Sequence, residues 1–166
     1  MTLSEPIHAT PAQPPVGAEE VRPLIGYILD RFHAVHRAEL DMLVPLARKV
    51  EAVHAAHPAC PRGLGDFLAA LREELEAHMA KEEKVLFPLL IAGGAGCAPL
   101  AIRRMRLDHD DHEEHLKALK SRTACFEPPS DACRSWRALY AGCRKLEADL
   151  REHIRVENEV LFPAFE

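Results

Sequence analysis

Two stretches of the chain repeat a spacing of ionisable side chains that suits metal chemistry. Residues 75–88 read L-E-A-H-M-A-K-E-E-K-V-L-F-P, and residues 150–163 read L-R-E-H-I-R-V-E-N-E-V-L-F-P. Each copy sets a His four residues before a Glu: His78 with Glu82, and His153 with Glu157. On an α-helix that spacing stacks both side chains on one face, one turn apart. The same face carries Leu64, Leu68, Leu71 and Leu75 before His78, and Val85 and Leu89 after Glu82. In the second copy it carries Trp136, Leu139, Cys143, Leu146 and Leu150, then Val160 and Ala164. An imidazole and a carboxylate therefore lie inside an apolar stripe, twice. Buried there without a partner they would be costly, so the pattern calls for something that pairs with them.

The elements that must carry these residues are helices. Apolar residues make up 48% of the 166 and aromatics only 5%, so Ala and Leu build the core, which favours helix over sheet. Residues 1–18, with Pro6, Pro11, Pro14 and Pro15 and no periodicity, read as a disordered tail or linker, and His8 as a mobile residue within it. Residues 19–166 read as one helical domain. A first helix is expected over about 19–43, with Leu29, His33, His36, Leu40 and Leu43 in step; Pro45 then starts or kinks a piece that ends near His57. A second runs over about 62–90, with Pro88 kinking its end, and Gly93, Gly94, Gly96 and Pro99 form a loop. A third spans about 100–126, and Pro128 and Pro129 break it. Ser130 or Asp131 is expected to cap a fourth that runs to about residue 162.

The chain also repeats internally. The first and third helices share His-x-x-His followed four residues later by Leu (His33, His36, Leu40 and His109, His112, Leu116), and the second and fourth share His-x-x-x-Glu. Two hairpins of one design predict an all-α, up-down four-helix bundle, the class in which facing side chains build metal sites. Its interior would gather His33, His78, His109 and His153 with Glu82 and Glu157, and a metal pair satisfies them: imidazoles bind through one nitrogen, and each carboxylate bridges with two oxygens. Mixed nitrogen and oxygen ligation suits iron or manganese and admits zinc. None of these four histidines has a Glu three residues before it, so the ferritin-like di-iron arrangement, built on Glu-x-x-His, does not fit. His36, His57, His112 and His115 are read as surface groups or as supports of the ligands, and Asp110, Asp111, Glu113 and Glu114 as a solvated acidic face able to guide cations inward.

Several function classes are disfavoured. A net charge of -5 offers no attraction to nucleic acid or an anionic membrane, and no apolar run approaches spanning length. The N-terminus lacks the pattern of a secretory signal, and five cysteines without C-x-x-C suit reduced thiols, so a cytoplasmic protein is expected, with no iron–sulfur cluster of its own.

These residues resemble the hemerythrin-like di-iron bundle and, more closely, the RIC (repair of iron centres) family. The likeness covers about residues 21–165 and rests on R-F-H-A-V-H-R at 31–37, K-V-E-A-V-H at 49–54 and C-P-R-G-L at 60–64. It also rests on L-D-H-D-D-H at 107–112 and on the two opening stretches. The resemblance implies two non-heme irons, oxo- or hydroxo-bridged, held by His33, His54, His78, Glu82, His109, His153 and Glu157. His54 would supply the fifth imidazole that oxygen-carrying hemerythrins take from His-x-x-x-His, because the residue four after His109 is Glu113. With that ligand set about one coordination position stays open for nitric oxide, dioxygen or water. Longer RIC proteins carry an N-terminal domain with a Cys pair where this chain has its Pro-rich tail. The implied function is a nitric-oxide and oxidative stress response that helps repair iron–sulfur proteins by supplying iron. The alternatives are a nitric-oxide or dioxygen buffer or sensor, and a di-iron nitric oxide reductase.

Overall fold

The long stripes do form helices, in four antiparallel rods. The computed structural model describes residues 20–94 and 96–166, so the tail expected at 1–18 lies outside the described residues. The first rod joins α1 (Val21–Ile28) to α2 (Ala34–Val53) through a π-helical turn at Leu29–His33. The second joins α3 (Leu64–Lys81) to the short α4 (Phe87–Ile91) through a π turn at Glu82–Leu86. The third is α5 (Ala98–Arg122), and the fourth is α6 (Arg134–Val156) running into a π turn at Glu157–Leu161. Among the described residues there is no strand, and no helix is long and apolar enough to cross a membrane.

Three boundaries differ from expectation, each for a local reason. Pro45 lies inside α2 without ending it. Its ring faces solvent, where water can satisfy the Asp41 carbonyl left without a helical donor. The cap of α6 is Cys133 rather than Ser130 or Asp131, and no side-chain hydrogen bond closes that end. The chain leaves α5 through Ala124, Cys125 and Phe126, all with positive φ (47°, 58° and 65°), a left-handed turn that lets Phe126 bury its ring. At the start of α3, Gly63 takes φ 79°, a conformation that suits Gly, and its amide donates to the Glu51 carboxylate at 2.9 Å.

The π turns also shift the apolar stripes. Each adds one residue to a turn, so beyond Glu82 the buried positions are Leu86, Phe87 and Leu90, while Val85 is 61% exposed. The second copy differs at the counterpart of Val85: Val160 stays buried, together with Leu161 and Phe162, and it is Ala164 that faces solvent.

Apolar packing is divided into two clusters. The larger gathers Leu40, Leu43, Leu68, Leu75, Leu116, Trp136, Leu139 and Leu146 from the long helices. The smaller gathers Ile28, Phe32, Leu86, Phe87, Ile102, Leu161 and Phe162 at the opposite end. His33, His36, Glu82, His109, His112, His153 and Glu157 are buried but belong to neither cluster. Helix connectivity places them between the two, as a polar layer across the bundle.

Candidate metal centre

Each rod contributes to this layer at a point where its backbone register brings a polar group inward. His33 closes the first π turn, and Glu82 and Glu157 open the other two. A π turn at a functional site is a recurring device, because the added residue re-aims side chains without ending the helix.

The resulting contacts are reciprocal. Glu82 sets Oε2 3.2 Å from His33 Nε2 and Oε1 3.3 Å from His78 Nε2. Glu157 sets Oε2 3.1 Å from His109 Nε2 and Oε1 3.1 Å from His153 Nε2. Each carboxylate thus turns one oxygen to each of two imidazole pairs. Ligand atoms of His33, Glu82, His153 and Glu157 lie within 4.8 Å of one another, as do those of His78, Glu82, His109 and Glu157. These are two four-residue clusters with both carboxylates in common, an arrangement that could hold a pair of metal ions.

The donor atoms fit such a pair. Both carboxylate oxygens of Glu82 and Glu157, and Nε2 of His33, His109 and His153, are buried with no hydrogen-bond partner. Orphaned polar atoms on this scale are rare in native interiors and need a ligand to account for them. Burial pushes His78 and His153 down to about 4, which leaves both imidazoles neutral, the form that binds a metal. Burial and then the charge of Glu157 push Glu82 up to about 8. Burial also works upward on Glu157, but His153 and His109 outweigh it and hold that carboxyl well below its ordinary value. The metal-free pair therefore keeps one proton near neutral pH, which two cations would displace.

Outer contacts fix the rings. His33 Nδ1 meets Glu83 Oε1 at 2.8 Å, and His109 Nδ1 meets Asn158 Oδ1 at 2.9 Å. His78 Nδ1 lies 3.5 Å from Asp108, which also accepts from Lys81 at 2.8 Å. Phe87 stacks on His33, with centroids 5.7 Å apart, and Phe162 on His109 at 5.8 Å. These partners occupy matching places in the repeated stretches: the residue after each shared Glu orients the His of the neighbouring helix, and the Phe of V-L-F-P covers the same ring. Sequence reasoning passed over them, although the repeat places both. Such supports commonly tune metal affinity by 10–100-fold.

Of the seven expected ligands, six converge. His54 does not. It caps the end of α2, 21 residues beyond His33, which at 1.5 Å per residue is about 30 Å along the rod. There its Nε2 lies 3.1 Å from Cys133 Sγ and its ring packs on Trp136 at 4.8 Å. His57 is at the same end, 3.2 Å from Asp131. The His54→Ala protein is expected to carry as much metal as the unaltered chain while losing about 1 kcal/mol of stability with that hydrogen bond, checked by metal analysis and thermal melting. His36 and His112, read as surface groups or supports, are both buried beside the clusters. His115 is partly exposed and pairs with Glu74 at 3.1 Å. Within the acidic face, Glu113 pairs with Arg151 at 2.6 Å, while Asp111 and Glu114 line an open cleft of about 440 Å³ that reaches His78 and His112.

A family model for the hemerythrin HHE cation binding domain matches residues 24–165. The chain belongs to that family. Among curated relatives, this hemerythrin-family chain is 44% identical over 146 residues to the iron-sulfur cluster repair protein YtfE of Musicola paradisiaca, covering 88% of this chain and 66% of the relative. It is 46% identical over 140 residues to the proteins of the same name from Yersinia pseudotuberculosis and Yersinia pestis, covering 84% of this chain and 63% of each relative. The chain thus spans just under two thirds of the relatives it matches. The family's description as cation-binding agrees with the two clusters built above from distances alone.

Proposed function

We propose that this hemerythrin-family chain is a cytoplasmic non-heme di-iron protein of the nitric-oxide and oxidative stress response that helps restore damaged iron–sulfur clusters by supplying iron. The observation that carries the reading is the shared pair of carboxylates: Glu82 and Glu157 each face both imidazole pairs, His33 with His153 and His78 with His109. Four imidazoles and two carboxylates suit iron in preference to softer thiolate-seeking ions. The likeness to proteins named for iron–sulfur cluster repair supports the client class.

In this reading the six side chains hold two irons, which supply redox chemistry and open positions for small ligands. Neutral imidazoles dominate the ligand set, so an iron leaves behind a site whose remaining charge is confined to one carboxylate and one carboxyl. That favours a site able to give up a ferrous ion. With His54 outside the ligand set, each half of the site has an equivalent set of protein donors. A gas-binding role is also supported, because the cleft against His78 leads from solvent to one half of the site.

The test is transfer. Iron-loaded protein is mixed, without free iron, with a dehydratase whose cluster has been damaged by nitric oxide. Recovery of the dehydratase, with matching loss of iron from the bundle, is the expected result. Tight gas binding with no recovery would replace repair by buffering, and turnover of nitric oxide to nitrous oxide would make the protein a reductase.

A further inference from the structure

His36 and His112 occupy equivalent places in the two halves of the repeat, three residues after His33 and His109. Both are buried, with 0% and 3% of their surface exposed. Neither nitrogen of His36 has a hydrogen-bond partner, nor does Nδ1 of His112. Their rings lie as near the clusters as the ligand rings lie to one another. The His36 centroid is 5.3 Å from that of His153, against 5.1 Å for His33. The His112 centroid is 4.8 Å from that of His78, against 5.0 Å for His109. An unpartnered buried imidazole costs stability, and here the cost is borne twice in symmetry-related positions.

The two positions differ in access. His36 is closed off by a chain of ion pairs: Lys145 bonds Glu39, Lys145 reaches Asp149 at 2.6 Å, and Arg31 reaches Asp149 at 2.8 Å. Glu39 lies 3.6 Å from His36 Nδ1, and Phe32 stacks on the ring at 6.2 Å. His112 instead lines the cleft of about 440 Å³ together with His78, Lys81 and Asp108.

We propose that His112 is the hydrogen-bond donor for a small diatomic or linear triatomic molecule bound at the His78–His109 half of the site, and that this half alone is open to such molecules. The inference rests on the metal-pair reading. A neutral imidazole carries one N–H, and the ligand atom beyond the metal carries partial negative charge, so the buried donor gains the partner it lacks. His36 keeps the same ring in the sealed half and is the built-in control.

The probe is azide, titrated against the oxidised, iron-loaded full chain and followed by its ligand-to-metal absorption, with iron content measured for every protein. His112→Leu is expected to weaken azide about tenfold with both irons retained, and His112→Gln, which keeps a donor, to recover most of that loss. His36→Leu is expected to leave azide binding within about twofold of the unaltered chain. Unchanged azide binding in the iron-loaded His112 variants overturns the inference while leaving the metal pair intact. Equal weakening by His36→Leu overturns the assignment to one half. Loss of an iron in His112→Leu makes His112 a ligand and overturns its donor role. An unaltered chain that takes up no iron overturns the metal-pair reading and this inference with it.

Discussion

The Glu157→Gln protein is expected to emerge from iron-replete expression with almost no bound metal, whereas His33→Ala keeps about one ion per chain. The difference follows from which atoms serve which cluster. His33 contributes to one group of four and leaves His78, Glu82, His109 and Glu157 untouched. Glu157 contributes an oxygen to each group, so removing its charge strikes both at once. Glutamine keeps the side-chain volume, which limits packing loss, but it presents one neutral oxygen where two anionic ones faced the imidazoles. Changes to outer partners alone cost 10–100-fold in metal affinity, and loss of a shared inner carboxylate should exceed that in both halves. Glu82→Gln should behave as Glu157→Gln does, because Glu82 spans the same two groups. Metal-to-protein ratios by elemental analysis check all three variants. A Glu157→Gln protein that retains one ion would mean that the carboxylates do not bridge.

Removing the metals from the unaltered chain should lower its melting temperature on the order of 20 °C. A site filled at about 1,000 times its Kd adds about 4 kcal/mol, two sites add about twice that, and 1 kcal/mol moves the midpoint by about 2–4 °C at this length. The stripped bundle should also acquire a stability maximum near pH 6.5. Burial holds His78 and His153 down to about 4 and His112 down to about 3, so below about 6.5 the unfolded chain binds three imidazole protons that the folded chain refuses. Glu82, pushed up to about 8, works in the opposite sense, because the folded chain holds a carboxyl proton that the unfolded chain releases above about 4.5. Between about 4.5 and 6.5 the imidazoles outnumber the carboxyl, and stability falls as pH falls. Above about 6.5 the imidazoles are neutral in both states. There Glu82, together with His109, whose pKa is raised because Glu157 outweighs its burial, makes stability fall as pH rises toward 8. Urea midpoints of chelated protein from pH 4.5 to 8.5 check the curve; a flat profile would contradict the burial of these groups. In the loaded protein the same acid limb should appear as metal release, since protons compete for the same nitrogens.

How much of this was legible beforehand is best judged residue by residue. His-x-x-x-Glu on an apolar stripe is a local signal, because helix geometry alone puts those two groups on one face and hydrophobicity alone says that the face is buried. The repeat then doubled the signal and made the four-rod bundle legible. His54 shows where local pattern fails: Pro45 was expected to start or kink a separate piece, whereas α2 continues through it to Val53, so about 30 Å of helix separates His54 from His33. Val85 fails for a related reason. The expected stripe assumed an unbroken α-helical period, whereas the π turn at Glu82–Leu86 advances the register by one residue.

The sequence by itself determined the chemistry and the architecture: four imidazoles, two carboxylates, and helices that must bury them. It did so because periodicity is local, and a buried charge has few ways to be satisfied. Only the tertiary structure decided which imidazole faces which carboxylate oxygen, and that Glu83, Asn158, Phe87 and Phe162 steady the rings of neighbouring helices. It alone placed His36 behind the ion pairs of Glu39, Lys145 and Asp149, and His112 beside an open cleft. Those relations join residues on different rods, and no spacing along one helix records the angle at which another packs against it.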